Sequence, residues 1–486
     1  MPRLTKKELL IQRIIPSILA VLAVCIIVPT LILFMLGFRL DSDNGRLQQG
    51  ALLQFDSTPN AANVSIDGKD TGTRTATKHT VLAGHHSFVV SKALYHDWKK
   101  DLTLTAGTLT WLDYIRLVPK DLPVESVATY ETLYGAKASP DKKTFIIQEK
   151  ADTPLFHLAN LESLKVAFKQ TLLPVEVYSE AETAGVAHAF GMQQWDNSGR
   201  YLLVQHTFGE STEWIIFDTQ RPAESVNISR VVGVSLRNIQ FASTNGKVLY
   251  GLTDDNSLRR IDITARTISH PLITQVSQYS LFGNNVISYI GVDATDATAQ
   301  VAGVYREGDE TPHILRTVPS LDTPLRIQVG RYYSDDYVAV AEGAKVTLFK
   351  GSYPTSSQMN ATSLKELTSF TLASPVTNLS FSPKNSMFLV AQSTSDFTSY
   401  EIEHKRLASG SIQPSQSQLS WLDGAYLWDD GGDKLAIREF DGLNGHVLNP
   451  VAPGYGVTLS QNGRFIYSIG KSGTSYQLQR ITMILE

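Results

Sequence analysis

Cysteine is nearly absent: the 486 residues hold one, Cys25. No disulfide can close within the chain, so hydrophobic cores and strand pairing must hold the fold together. Linear catalytic signatures are missing as well. The sequence has no G-x-S-x-G, no H-E-x-x-H, no phosphate-binding loop and no G-x-G-x-x-G. The eleven histidines are scattered without ligand spacing, so no metal or cofactor is expected. Positive charge is short outside the first segment. Residues 1–40 take five of the 43 Lys/Arg and one of the 47 Asp/Glu, leaving the rest at net −8. A dispersed acidic surface argues against nucleic acid as a partner. Long apolar runs are also lacking, with one exception.

That exception, Ile14 to Phe38, organises the chain. Its 25 residues carry no charge and are closed off by Arg13 and Arg39. As a helix it reaches roughly 37 Å, enough to cross a ~30 Å hydrocarbon core with some tilt. Pro16 falls in the first turn, and Pro29 predicts a kink rather than a break. Arg3, Lys6, Lys7 and Arg13 precede the span against Glu8 alone. The Lys/Arg excess stays in the cytoplasm, so the large C-terminal part is expected outside. A cleaved signal peptide would have a shorter apolar region and a small-residue cleavage site; Met35-Leu36-Gly37-Phe38 is a poor one. The expectation is an uncleaved signal anchor in the cell membrane, single-pass, with the N-terminus cytoplasmic.

From Leu52 the pattern becomes strand-like. Val64-Ser65-Ile66 alternates into Asp67-Gly68, a hairpin turn in which Gly68 can take positive φ. Gly72 reads as a second break, and Ala83-Gly84 as another turn before Ser87-Phe88-Val89-Val90. Leu102-Thr103-Leu104 and Tyr114-Ile115-Arg116-Leu117 complete a small all-β sandwich. His85 and His86, on neighbouring strand positions, point to opposite faces and do not share an ion. Tyr95, Trp98, Trp111 and Tyr114 are candidate ligand contacts, an aromatic platform for sugar rings, with core packing as the competing use.

Ser57-Thr58-Pro59-Asn60-Ala61-Ala62-Asn63-Val64-Ser65-Ile66-Asp67-Gly68, then Gly72-Thr73 and Leu82-Ala83-Gly84-His85-His86-Ser87-Phe88, resembles a PEGA domain over about 52–118. The naming tetrapeptide is here Pro59-Asn60-Ala61-Ala62, with its Glu and Gly replaced. The resemblance implies a small extracytoplasmic β module of a surface-associated protein, with a carbohydrate or cell-wall role suspected for the family.

After Pro119-Lys120-Asp121-Leu122-Pro123, a linker, the chain repeats. A polar turn precedes a strongly apolar strand again and again: Ser139-Pro140-Asp141-Lys142-Lys143 before Thr144-Phe145-Ile146-Ile147, and Ser460-Gln461-Asn462-Gly463-Arg464 before Phe465-Ile466-Tyr467. The turns start at Ser139, Asp196, Ser243, Gly283, Ser334, Ser382, Asp429 and Ser460. Their mean spacing of about 46 residues is the period of four-stranded propeller blades. The repeat is similar to TolB-like and YVTN-type propeller repeats and lacks a WD40 pattern. Eight blades fit, or seven if the weak units at Gly283 and Ser334 are discounted. The last unit is one strand short, and Val124–Tyr130 is placed to supply it and remove an open edge. Asp429-Asp430-Gly431-Gly432-Asp433 clusters carboxylates, but reads as one more inter-strand turn rather than a Ca²⁺ loop.

The expected organisation is a cytoplasmic tail (1–13), a transmembrane signal anchor (14–38), a juxtamembrane spacer (39–51), a PEGA-like β domain (52–118), a linker (119–123) and a β-propeller (124–486). The exported part is all-β. A ring of blades suits holding a partner, so the expected function is a non-enzymatic, extracytoplasmic binding or scaffold protein of the cell envelope. Its partner would be cell-wall glycan or an envelope protein. The alternative is an anchored hydrolase or lyase acting on envelope polymer or peptide at the propeller mouth.

Overall fold

The computed structural model describes every residue except 1–5, 36, 41–46, 181–184, 243–244, 284, 354–363, 413–417 and 486. Part of the tail, residues 41–46 of the spacer and the expected turn residues Ser243, Thr244 and Asn284 therefore lie outside the described residues. The chain forms two compact units, Met1–Asp121 and Leu122–Glu486.

The first unit begins with α1 (Lys6–Met35). Within it Ile14–Leu33 has a mean hydropathy of 2.7 and no share buried, so its length and composition suit a membrane crossing. Pro29 withholds one backbone donor, and next to it the Thr30 hydroxyl donates to the Ile26 carbonyl at 2.7 Å. The helix ends before the expected Phe38. Gly37 takes φ +81°, outside the helical region, and Phe38 opens a strand instead of closing the apolar run.

That strand, β1 (Phe38–Leu40), pairs antiparallel with the start of β2 (Leu47–Thr58). β2 thus begins at Leu47, inside the expected spacer: pairing with β1 satisfies the polar backbone of residues 47–49. There follow β3 (Asn63–Ile66), β4 (Lys69–Arg74), β5 (Thr77–Leu82), β6 (Gly84–Ser91), β7 (Trp98–Leu104) and β8 (Leu109–Arg116). β1, β2, β5 and β8 form one sheet, with β8 parallel to β2; the other has the order β4-β3-β6-β7. The two sheets share an apolar core in which the Phe55 and Phe88 rings lie 5.6 Å apart. Asp67 and Gly68 take φ +51° and +73° as the two-residue turn joining β3 to β4, the left-handed geometry of a type I′ hairpin. Gly72 lies inside β4 and does not end it, since β4 continues to Arg74.

The second unit contains, among the described residues, eight four-stranded antiparallel sheets. They span 135–172 (sheet 1), 188–227 (sheet 2), 237–268 (sheet 3), 276–318 (sheet 4), 325–371 (sheet 5), 378–411 (sheet 6), 420–450 (sheet 7) and 458–482 (sheet 8). Each is a meander whose strands pair in chain order. Sheet 8 has three strands of its own, and β9 (Val124–Tyr130) adds the outermost, with Leu478 opposite Ala128.

Consecutive sheets pack face to face. Phe156 of sheet 1 meets Phe190 and Phe217 of sheet 2, and Trp214 of sheet 2 meets Leu249 of sheet 3. The row closes where Phe145 and Ile147 of sheet 1 share a core with Phe465 and Tyr467 of sheet 8. A closed row of four-stranded sheets is a β-propeller.

The repeated turn has a local cause. Ser139 Oγ accepts from Thr144 N at 3.0 Å and Asp141 Oδ1 from Lys143 N at 3.1 Å. Ser460 and Asn462 do the same work, Ser460 Oγ accepting from Phe465 N at 2.9 Å. A short polar side chain thus feeds the donors that a tight turn leaves unpaired.

One unit was misplaced. In sheet 7 the turn between the first and second strands is 422–425, where Asp423 Oδ1 accepts from Ala425 N and Tyr426 N. Asp429–Asp433 instead lies between the second and third strands, at the opposite end of the sheet.

Candidate functional site

In the first unit the expected aromatic platform is not assembled. β7 alternates strictly, so Trp98, Lys100, Leu102 and Leu104 all turn inward. Trp98 is 1% exposed and Tyr95 3%, which makes both core residues. Lys100 Nζ donates to the half-buried Tyr114 hydroxyl at 3.0 Å and lies 4.9 Å from that ring's centroid. Trp111, on the opposite face of β8, is the one of the four that turns outward, at 40% exposure.

The PEGA-like turn is tied by its own histidine. Asp67 Oδ2 lies 2.7 Å from His86 Nδ1, and Asp67 Oδ1 accepts from Ser87 N at 3.0 Å. Burial pushes the Asp67 carboxyl up, but the bonds from His86 and Ser87 outweigh it and hold the group below its usual range. His86 Nε2 is engaged by the Leu82 carbonyl at 2.8 Å. The pair is a strut between the two hairpins. Among the described residues no group of three or more His, Cys, Asp or Glu is placed to hold a metal ion.

In the propeller, strand direction sorts the loops. All first strands run the same way, so the links between second and third strands, and those from one sheet to the next, gather at one end. Among the described residues, three clefts open there. The first, about 360 Å³, lies at sheets 1 and 2 and is lined by Asp152, Tyr178, Glu180, His188 and Phe190. Another, about 400 Å³, lies at sheets 3 and 4 beside Arg237, Asn256 and Ser277. The largest, about 900 Å³, is lined by Lys137, Ser420, Trp428, Asp430, Asp433 and Tyr455.

The misplaced turn matters here, because it puts Asp430 and Asp433 on the largest cleft. Asp429 itself is spent on Arg438 Nη2, 2.6 Å away. Asp430 Oδ2 accepts from Gly454 N at 2.7 Å, drawing the 451–457 link over the cleft. Tyr455 donates its hydroxyl to the Leu133 carbonyl at 3.1 Å. Burial and then Tyr476 push its phenol up to about 12. Lys137 donates to the Gln193 carbonyl at 2.7 Å, and burial lowers its pKa.

The first cleft is backed by a chain of hydrogen bonds. Glu213, buried, accepts from Ser179 N at 2.6 Å, Ser179 Oγ at 2.9 Å and Asn227 Nδ2 at 2.7 Å. His206 Nδ1 lies 2.8 Å from its Oε1. Burial pushes the carboxyl up, yet these donors pull it down to about 2. His206 Nε2 lies 2.9 Å from His188 Nδ1. The Phe190 and Phe208 rings stack on His206 at 4.3 and 4.9 Å. Gln148, buried in sheet 1, donates to the Phe190 carbonyl at 2.7 Å and so holds that strand.

Sequence reasoning missed Lys137, Trp428, Tyr455 and the whole His188–His206–Glu213 chain. Only part had a readable signal. Gly209-Glu210 between two apolar strands marks a two-residue hairpin, which sets His206 opposite Glu213.

Residues 51–120 match the PEGA domain family. No curated protein matches the chain significantly. Among solved structures it is similar to the β-propeller domain of Cps50 (Swd1) from Myceliophteria thermophila, at 10% identity and TM-score 0.39, covering 74% of this chain and 99% of that one. It is also similar to an oligogalacturonate lyase in complex with manganese, at 13% identity and TM-score 0.40, covering 68% and 96%. A third is Hsv2 of Kluyveromyces lactis, at 9% identity and TM-score 0.38, covering 73% and 98%. The chain therefore carries a PEGA domain at residues 51–120 followed by a β-propeller of four-stranded sheets, behind one apolar N-terminal helix.

Proposed function

We propose that this is a membrane-anchored, extracytoplasmic binding protein of the cell envelope, whose propeller presents one end to a partner. The observation that carries the reading is the gathering of three clefts, of about 360, 400 and 900 Å³, at the same end of the ring. The largest combines two aromatic rings, Trp428 and Tyr455, with groups of both charges, Lys137, Asp430 and Asp433. Such a surface suits a polar polymer, a glycan or a peptide, that offers both donors and acceptors. The unburied apolar helix supports anchoring, and Arg3, Lys6, Lys7 and Arg13 before it support a cytoplasmic N-terminus. In the PEGA domain, Trp111 is the outward-facing aromatic available to cell-wall glycan.

Site-directed crosslinking tests the face. With Cys25→Ser in the background, a cysteine-directed photocrosslinker is placed by Pro453→Cys at the cleft end or by Lys384→Cys at the other. Both positions are exposed. The binding reading expects adducts in envelope preparations from position 453 and few from 384; adducts confined to 384 would overturn it. Sedimentation of the full chain with cell-wall sacculi separates the partners. Co-sedimentation lost in Trp111→Ala assigns the glycan to the PEGA domain, whereas no sedimentation at all leaves a protein partner.

A further inference from the structure

The chain behind the smallest cleft ends in a basic nitrogen. An ionised carboxylate only accepts, so the proton between Glu213 and His206 sits on His206 Nδ1. His206 is wholly buried between two phenyl rings. With its single proton on Nδ1, His206 offers Nε2 as an acceptor, and His188 Nδ1 donates to it. His188 Nε2 is left with its lone pair at the cleft, 3.9 Å from Glu180 Oε2. A nucleophile or base oriented by a second group, itself held by a carboxylate, is the arrangement of catalytic relays.

We propose that His188 is the proton acceptor of a catalytic site in this cleft, with His206 and Glu213 as positioning residues, acting on a small neutral or cationic substrate. This goes beyond the binding reading and does not depend on it. In the step, the Nε2 lone pair forms an N–H bond with a proton of water or a substrate hydroxyl, whose O–H electrons stay on oxygen. The imidazolium charge faces Glu180 and is offset through His206 by Glu213.

The cleft's volume and lining set the substrate class. About 360 Å³ is at the low end for ligand clefts. Tyr178 and Phe190 supply ring faces, while Asp152 and Glu180 supply negative charge. Burial, then Glu180 and Glu176, raise the Tyr178 pKa, a sign of the negative field there. Arg230, a nearby cation, is spent on the Glu176 carbonyl at 2.8 Å and Ser179 Oγ at 3.0 Å. An anion is disfavoured.

Carbethoxylation of the full chain in detergent micelles tests both parts. Diethyl pyrocarbonate acylates an unprotonated imidazole nitrogen: an N–C bond forms, the anhydride C–O bond breaks, and ethanol and carbon dioxide leave. Rates are read per histidine by mass spectrometry across about pH 5–8, with exposed His85 as internal standard. His206→Phe keeps the ring stack and severs the relay. It is expected to slow His188 modification roughly tenfold, with His85 unchanged. Glu213→Gln, checked by circular dichroism for retained fold, should slow it in the same way. Identical rates at His188 in the wild type and His206→Phe would overturn the relay. Benzyltrimethylammonium should protect His188 and benzoate should not; the reverse would overturn the substrate class.

Discussion

Leu478, near the end of the chain, lies in register opposite Ala128 at the start of the second unit. The two segments complete one sheet from opposite ends of the second unit, so the last strand, 475–482, is paired on both sides instead of forming the outer edge of sheet 8. Leu478 is fully buried in the core shared by sheets 8 and 1. Leu478→Ala should cost about 2–5 kcal/mol in denaturant unfolding, the range for a buried leucine. Leu407→Ala, at a half-exposed position on the outer strand of sheet 6, should stay within about 0.5 kcal/mol. Equal effects would mean the closure carries no special weight.

Glu213 gives a pH signature. Its carboxyl titrates at about 2 in the folded protein against an ordinary value near 4.5. The folded value is the lower one, so its contribution is fully present above about 4.5 and is lost as pH falls through about 2. A shift of this size corresponds to about 3 kcal/mol. Chemical denaturation of the wild type and Glu213→Gln should therefore show a gap that narrows on acidification through this window. A gap independent of pH would mean that the ionised carboxylate is not what the four donors hold.

The aromatic residues of the PEGA domain should separate cleanly. Trp98→Ala empties a core position and should cost about 3–5 kcal/mol. Trp111→Ala should cost under about 0.5 kcal/mol, so any loss of sacculus binding in that variant reports recognition rather than folding. Thermal unfolding of the two variants is the check.

Gly68 isolates conformation from space. A Cβ added there meets nothing within 4 Å, yet φ is +73°. Gly68→Ala should thus lower stability by about 1–2 kcal/mol through backbone strain alone. No loss would show that the turn relaxes to another type at little cost.

The PEGA hairpin was legible because its information is local. Asp67-Gly68 sets the turn, and the alternation on both sides sets the strands. The propeller was legible for a related reason: Ser139, Ser382 and Ser460 each feed the donors of their own turn, and the pattern returns at a blade-length interval. The same rule misled at Asp429. Its cluster looks like the other turns, but the chain had already turned at Asp423-Gly424, and only strand pairing tells the two apart. Where α1 stops was equally hidden, since Phe38 is as apolar as the helix and is claimed by pairing with Gln49.

By itself, then, the sequence determined what depends on neighbours along the chain: one apolar helix, no disulfide, alternating strands, and turns supplied with their own hydrogen-bond acceptors. Tertiary structure decided what depends on neighbours in space. It sent Tyr95 and Trp98 inward and Trp111 outward, because which face of a strand is buried depends on the sheet that covers it. It also brought Ser179 and Asn227 onto Glu213, and set His188 at a cleft. Those residues come from separate strands and links, and linear spacing carries no record of a distance closed only when sheets pack.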